Sequence, residues 1–165
     1  MSGINGMITD DFDGDGDLDI LMSGNDYGTD VSTGRYDAGN GVFLKGDGKG
    51  NFTSLSILQS GWFIPGNGKA IAELRNKDGH VLIVASQNRG RLKMYTLKRP
   101  VKTLLLNRDD VSLLIKYKNG KTQKREVNYG SSFLSQSARF TIVDSGVVAI
   151  EVTNGSGVKR IINSQ

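Results

Sequence analysis

Five aspartates at alternate positions (Asp11, Asp13, Asp15, Asp17 and Asp19), with Gly14 and Gly16 between them, are the residues of this chain best placed to do chemistry. Carboxylates crowded this closely repel one another, and more steeply as they approach, unless a cation sits among them. Hard oxygen donors in this number suit Ca²⁺, which accepts about six to eight oxygens in a forgiving geometry. Gly16, at the sixth position of the run, supplies the sharp turn that lets the first three side chains and the last face one point. The spacing assigns Asp11, Asp13 and Asp15 as side-chain ligands, Asp17 as a ligand through its backbone carbonyl, and Asp19 as the closing carboxylate. The alternative is a solvated acidic turn that binds nothing.

An EF-hand requires a bidentate Glu at its twelfth position, and that position is Met22. Leu18-Asp19-Ile20-Leu21-Met22 is short and apolar with no helical period around it. The loop is therefore expected between strands rather than between helices.

The elements that must position it are strands. The chain has 165 residues with 22 Gly and only 2 Pro, and apolar stripes at helical spacing are hard to find. That combination predicts many short strands joined by tight turns. Cysteine is absent, which excludes a disulfide framework, thiol catalysis and zinc-thiolate sites. No apolar run approaches the roughly 20 residues that a membrane-spanning helix needs. Residues 1–97 carry nine Lys/Arg against twelve Asp/Glu, and residues 98–165 twelve against five, so charges of −3 and +7 compose the net +4. A basic half can favour an anionic polysaccharide, nucleic acid or a membrane surface, or can simply be the solvated face of a small sheet. Nucleic acid is not the expected partner, because the basic residues lack interleaved aromatics.

The acidic segment has an echo. Residues 8–23 line up without gaps on residues 71–86, an offset of 63. Glycine recurs at the turn (Gly16, Gly79), and so does the apolar strand that follows. Of the ligand positions only Asp15 keeps a carboxylate, as Asp78, while Asp11, Asp13 and Asp19 become Leu74, Asn76 and Leu82. The second copy, residues 74–82, is expected to keep the hairpin and to bind no calcium. Between the copies, Gly41–Lys45 and Asn51–Leu55 flank the turn-rich Gly46-Asp47-Gly48-Lys49-Gly50. Arg91–Leu97 alternates at period two, as a half-buried strand does. About four short antiparallel strands per repeat is the pattern of a propeller blade.

These residues carry a family resemblance. Asp11 to Met22 resembles the FG-GAP (VCBS-type) repeats of integrin-like β-propellers, and Asp47-Gly48-Lys49-Gly50-Asn51-Phe52 resembles the hairpin that follows within such a repeat. The resemblance implies an extracytoplasmic propeller with calcium clipped between two strands of a blade. Two copies are too few to close a propeller. Downstream, Leu113, Ile115 and Tyr117 alternate with polar neighbours, Asn119-Gly120 offers a two-residue type I′ turn, and residues 147–152 and 158–162 flank a second turn at 154–157. With the intervening Gly130–Phe140, this part resembles the ASPIC/UnbV domain at the C-terminus of exported bacterial proteins, many of them from Bacteroidetes. It departs from that family in the last hairpin, where Val152-Thr153-Asn154-Gly155-Ser156 replaces the usual Trp-Pro-Ser-Gly-Lys, so no ligand role carries over from that tryptophan.

The expected architecture is thus all-β: two propeller-type blades forming an incomplete propeller (1–99), then a small antiparallel β-domain (100–165). With His80 the sole histidine, a Ser-His-Asp arrangement would have to use a residue expected on a hairpin turn. The densest acidic cluster is committed to metal. The enzymatic alternative is a fragment of a calcium-dependent polysaccharide lyase. A binding or adhesion module fits the residues better, with Trp62, Tyr27 and Tyr36 as candidates for stacking on a sugar ring or a partner side chain. Trp62 and Phe63 are more simply read as ordinary packing between blades, and the polar loop 24–41 as a binding loop or a mobile one. The expected partners are a polysaccharide or protein ligand, the expected location is extracellular, cell-surface or periplasmic, and open blade edges would allow oligomerisation.

Overall fold

The computed structural model describes residues 2–130, 132 and 135–164. Ser131, Phe133 and Leu134, within the segment 130–140 singled out above, lie outside the described residues. The described chain is all-β, with several antiparallel sheets and one short helix, and it divides into two compact units. One comprises Met1–Lys98 with Gly130–Ala138, the other Arg99–Tyr129 with Arg139–Gln165. The contiguous span 100–165 expected for the second part is therefore interrupted. Ala138 donates its amide to the carbonyl of Glu73 at 2.7 Å, and Glu73 returns its own to the Ser137 hydroxyl at 2.9 Å.

In the first unit, β1 (Ile4–Asp10), β2 (Asp19–Gly24), β3 (Val42–Gly46) and β4 (Phe52–Leu55) form a four-stranded antiparallel meander in sequence order. A second meander of three strands follows, β5 (Gly68–Arg75), β6 (Val81–Gln87) and β7 (Lys93–Thr96). Strands β2 and β6 alternate as sheets with one covered face do: β2 buries Asp19, Leu21 and Ser23, and β6 buries Val81, Ile83 and Ala85. Ile8 and Leu21 of the first sheet share one apolar cluster with Ile71, Ile83 and Ala85 of the second, with Trp62 and Ile64 of the connection and with Phe12 of the acidic loop. Side chains of this kind contribute about 1.5–3 kcal/mol each when fully buried.

The connection also holds α1 (Ile57–Ser60), which the sequence reading missed. Ser56 and Gln59 form a reciprocal capping box, satisfying amides that a helix start leaves without partners.

The strand register corrects the gapless repeat. Asp10 pairs with Asp19 in the first hairpin, whereas Glu73, 63 residues after Asp10, pairs with Ile83. Likewise Ile8 faces Leu21 but Ile71 faces Ala85. The second hairpin therefore holds one more residue, and the counterpart of Asp19 is Ile83 rather than Leu82. The reason is the period of two: an uncorrected offset would turn the buried face of β6 outward. The turn itself recurs where expected, since Asp13 Oδ1 accepts the Asp15 amide and Asn76 Oδ1 accepts the Asp78 amide.

The second unit has a four-stranded sheet in the order β10-β9-β12-β13 and a two-stranded sheet β11-β8. The strands are β8 (Lys102–Leu105), β9 (Asp110–Tyr117), β10 (Thr122–Glu126), β11 (Phe140–Val143), β12 (Val147–Asn154) and β13 (Lys159–Asn163). Leu113, Ile115, Tyr117, Val147, Ile150 and Val152 form its core, against which Leu104 of β8 and Val143 of β11 pack. The β9–β10 turn is not the expected type I′. Tyr117 donates its amide to Lys121 across a three-residue loop, and only Gly120 of that loop has positive φ, 82°. Type I′ requires positive φ at both central residues, so this is the three-residue hairpin with glycine in the left-handed position. At the other end of β9 the fully buried Asp110 takes both Arg160 guanidinium nitrogens, one on each oxygen, and the Asn107 amide at 2.6 Å. These bonds, the Arg160 pair foremost, hold its carboxyl below the usual range. Among the described residues, no helix is long and apolar enough to cross a membrane.

Candidate metal centre

The acidic loop is a short excursion between paired strands: Asp10 and Asp19 close the β1–β2 hairpin, and the run between them folds back over its own first carboxylate. Asp11 is fully buried, with Oδ1 accepting the Gly14 amide at 2.7 Å and Oδ2 the Gly16 amide at 2.9 Å. Gly14 and Gly16 have φ of 89° and 85°, a region that side chains with a Cβ disfavour, so the glycines allow the loop to curl. The next carboxylates repeat a tighter device, Asp13 Oδ1 accepting the Asp15 amide at 3.2 Å and Asp15 Oδ1 the Asp17 amide at 2.8 Å.

The result gathers three of the four side chains expected as ligands. Asp11, Asp13 and Asp15 each offer a carboxylate oxygen, and these lie within 4.8 Å of one another, a group that could hold a metal ion. The donors are all oxygen, the chemistry of a hard cation. Asp17, expected to contribute its carbonyl, and Asp19, expected to close the site with its carboxylate, stand outside that group. Asp19, fully buried, accepts the Phe12 amide at 3.1 Å and the Gly46 amide at 3.0 Å, one on each oxygen. Burial pushes its carboxyl up, the negative charges of Asp13 and Asp15 add to that, and the two amides pull it back.

Strand β3 braces the loop from the side, and sequence reasoning missed it. Gly46 supplies the amide that holds Asp19, and a Cβ there would stand 2.1 Å from the carbonyl oxygen of Leu18. Its neighbour Lys45 extends its ammonium to Asp13 Oδ2 and, at 2.8 Å, to Asp15 Oδ2. Those bonds, Asp13 first, raise the lysine pKa. Asp10 is the other unforeseen member, buried and accepting the Asp11 amide at 2.7 Å. The one available signal was the Gly41–Lys45 strand pattern, which placed Lys45 and Gly46 at the start of a turn but not beside the loop.

In the second copy, Asn76 accepts the amides of Asp78 and His80 at 3.0 and 2.8 Å. His80 is exposed on that turn. Asp47 likewise closes its own hairpin, accepting the amides of Lys49 and Asn51.

The predicted stacking residues separate. Trp62 is 3% exposed, its indole donates to the carbonyl of Met22 at 2.9 Å, and its ring lies 4.8 Å from that of Tyr95. A ring must show a free face to stack on a sugar, so the assignment of Trp62 as a ligand-binding residue is corrected: it is core. Tyr27 is half-buried, its hydroxyl donating to Pro65 and its ring covered by the Arg35 guanidinium 5.0 Å from the centroid. Tyr36 is 41% exposed and pairs its backbone with Asp26. The loop bearing both tyrosines is pinned at its base by the buried Asn25, which donates to the carbonyls of Gly39 and Gly66 and accepts the Gly39 amide.

A scan against protein-family models finds no match for this chain, and neither does a search of curated proteins.

Proposed function

We propose that this chain is a calcium-stabilised, non-catalytic binding or adhesion module of an exported protein. In this reading its first unit holds two propeller-type blades of the FG-GAP/VCBS kind, and its second unit is a β-domain of the ASPIC/UnbV kind. The four-stranded meander followed by a three-stranded one supports the blades. The observation that carries the metal is the convergence of Asp11, Asp13 and Asp15 around left-handed glycines in a loop of oxygen donors. Asp11, Asp13 and Asp15 would hold the ion through side chains, Asp17 through its carbonyl, and Asp19 would close the site. The ion would neutralise carboxylates that otherwise repel, a structural role. Ca²⁺ is favoured over smaller cations by the number of oxygens and the flexible glycine turns. Carbohydrate or protein is the partner class, with the exposed Tyr36 on the Gly24–Gly41 loop as the remaining aromatic contact.

The test is thermal melting in EDTA and in Ca²⁺ up to the millimolar range, since extracellular modules bind at about 10⁻⁴–10⁻³ M. EDTA is expected to lower Tm and Ca²⁺ to restore it. Asp13→Ala should abolish the Ca²⁺ response, whereas Asp78→Ala should leave it intact. A melting curve indifferent to both EDTA and Ca²⁺ overturns the reading.

A further inference from the structure

Lys45 reaches the acidic loop from a different strand, 32 residues along the chain from Asp13. The oxygens it takes are specific. On Asp13 and on Asp15 alike, Oδ1 is engaged by a loop amide and Oδ2 by the Lys45 ammonium. The ammonium therefore sits on the second oxygen of each carboxylate, not on the one that accepts the loop amide, and a metal ion held by Asp13 and Asp15 would compete with it there. The positive charge is delivered to those two carboxylates by an independent element, strand β3.

We propose that Lys45 is a tethered competitor of the divalent cation. Its ammonium holds Asp13 and Asp15 together in the metal-free loop and must withdraw when the ion enters. The inference rests on the calcium reading above and adds to it a mode of regulation. One consequence is a loop that stays folded without metal. The other is an affinity set below what the carboxylates alone would reach, because the ion must displace a charge already in place. The lysine side chain is 38% exposed, so a path into solvent for the displaced ammonium exists.

The test compares the wild-type chain with Lys45→Met, which keeps the apolar stem and removes the charge, and with Lys45→Arg, which keeps the charge. Ca²⁺ binding is followed by calorimetry at low salt. Lys45→Met is expected to bind Ca²⁺ more tightly, by up to about fivefold, the upper end of what the worth of an exposed ion pair converts to. In EDTA its Tm should fall below that of the wild type, and Lys45→Arg should stay near the wild type in both measurements. Labelling of the unmodified chain with an amine-acylating reagent provides a second readout that needs no variant. Acetylation at Lys45 should rise severalfold when Ca²⁺ is added. Binding by Lys45→Met that is equal to or weaker than wild type, or Lys45 labelling unchanged by Ca²⁺ that demonstrably binds, overturns the competitor role and leaves the calcium site standing. Absence of Ca²⁺ binding in both the wild type and Lys45→Met overturns the site and the competitor together.

Discussion

The amide of Gly46 donates to the carboxylate of Asp19 at 3.0 Å, so the closing residue of the acidic loop is held by a strand that begins 23 residues further along the chain. This contact makes the loop part of the sheet rather than an appendage of one hairpin. It also requires the absence of a side chain at position 46, where the Leu18 carbonyl lies against the backbone.

Gly46→Ala should accordingly cost about 1–3 kcal/mol, the usual range for forcing an extra group into a packed site. Gly50→Ala is the control, because nothing lies within 4 Å of an added Cβ there and only its φ of 94° is at stake. That strain is about 1–2 kcal/mol and should leave Ca²⁺ binding unchanged. Urea unfolding with and without Ca²⁺ separates the two. Equal Ca²⁺ responses in both variants would show that β3 does not brace the site.

Asp11 and Asp13 should fail in different ways. Asp11→Ala strips the partner from two loop amides beside a buried position, a loss of about 2–3 kcal/mol even in EDTA. Asp13→Ala removes an exposed carboxylate and one partner of Lys45, so in EDTA it should lower Tm by less than Asp11→Ala, its main effect being a lost response to Ca²⁺. Parallel melts of the two variants in EDTA check this, and identical losses would contradict it.

Asp110 predicts an acid-labile step in the second unit. Its carboxyl is depressed by Arg160, so the ionised form is the one that folding favours. That contribution is complete above the ordinary value of 3.8 and disappears as pH falls through the lower folded-state value. Asp110→Asn should cost about 2 kcal/mol at pH 7. The stability gap between wild type and variant should shrink below about pH 4. Tm measured against pH for both proteins tests this, and a constant gap across that range would refute it.

Trp62 should behave as a core residue in solution. As the sole tryptophan, it makes native emission a direct report, expected to be blue-shifted and unmoved by added oligosaccharides. Trp62→Phe leaves the Met22 carbonyl without its indole partner and should cost about 1–3 kcal/mol in urea unfolding. A red-shifted native spectrum, or quenching by sugar, would restore Trp62 to the surface.

Much of this was legible because it is local. The aspartate spacing located the loop, the alternation of Leu113, Ile115 and Tyr117 in β9 marked its buried face, and hairpin glycines marked the turns. The errors came where local signals were silent. A one-residue insertion in the second hairpin is invisible when the strand after it is apolar on both sides, so the gapless alignment set Leu82 against Asp19 where the strand pairing sets Ile83. Asn119-Gly120 reads as a type I′ turn in isolation, but the loop length was set by how β9 pairs with β10. Trp62 sits among glycines that suggest a surface loop, and only the sheets around it show that it is enclosed. Lys45 carries no motif; its role exists because β3 runs beside the acidic loop. The helix at Ile57–Ser60 was readable in retrospect from the Ser56/Gln59 spacing, but four residues are too short for periodicity to register.

The return of residues 130–138 to the first unit means that the chain crosses between the units three times, not once. Neither unit is then a single span of sequence. A gene cut at the apparent boundary near Lys98 would strip Glu73 of both backbone partners supplied by Ser137 and Ala138. Shuffling the two parts independently, as recombination does with beads on a string, would leave the first one unfinished along β5.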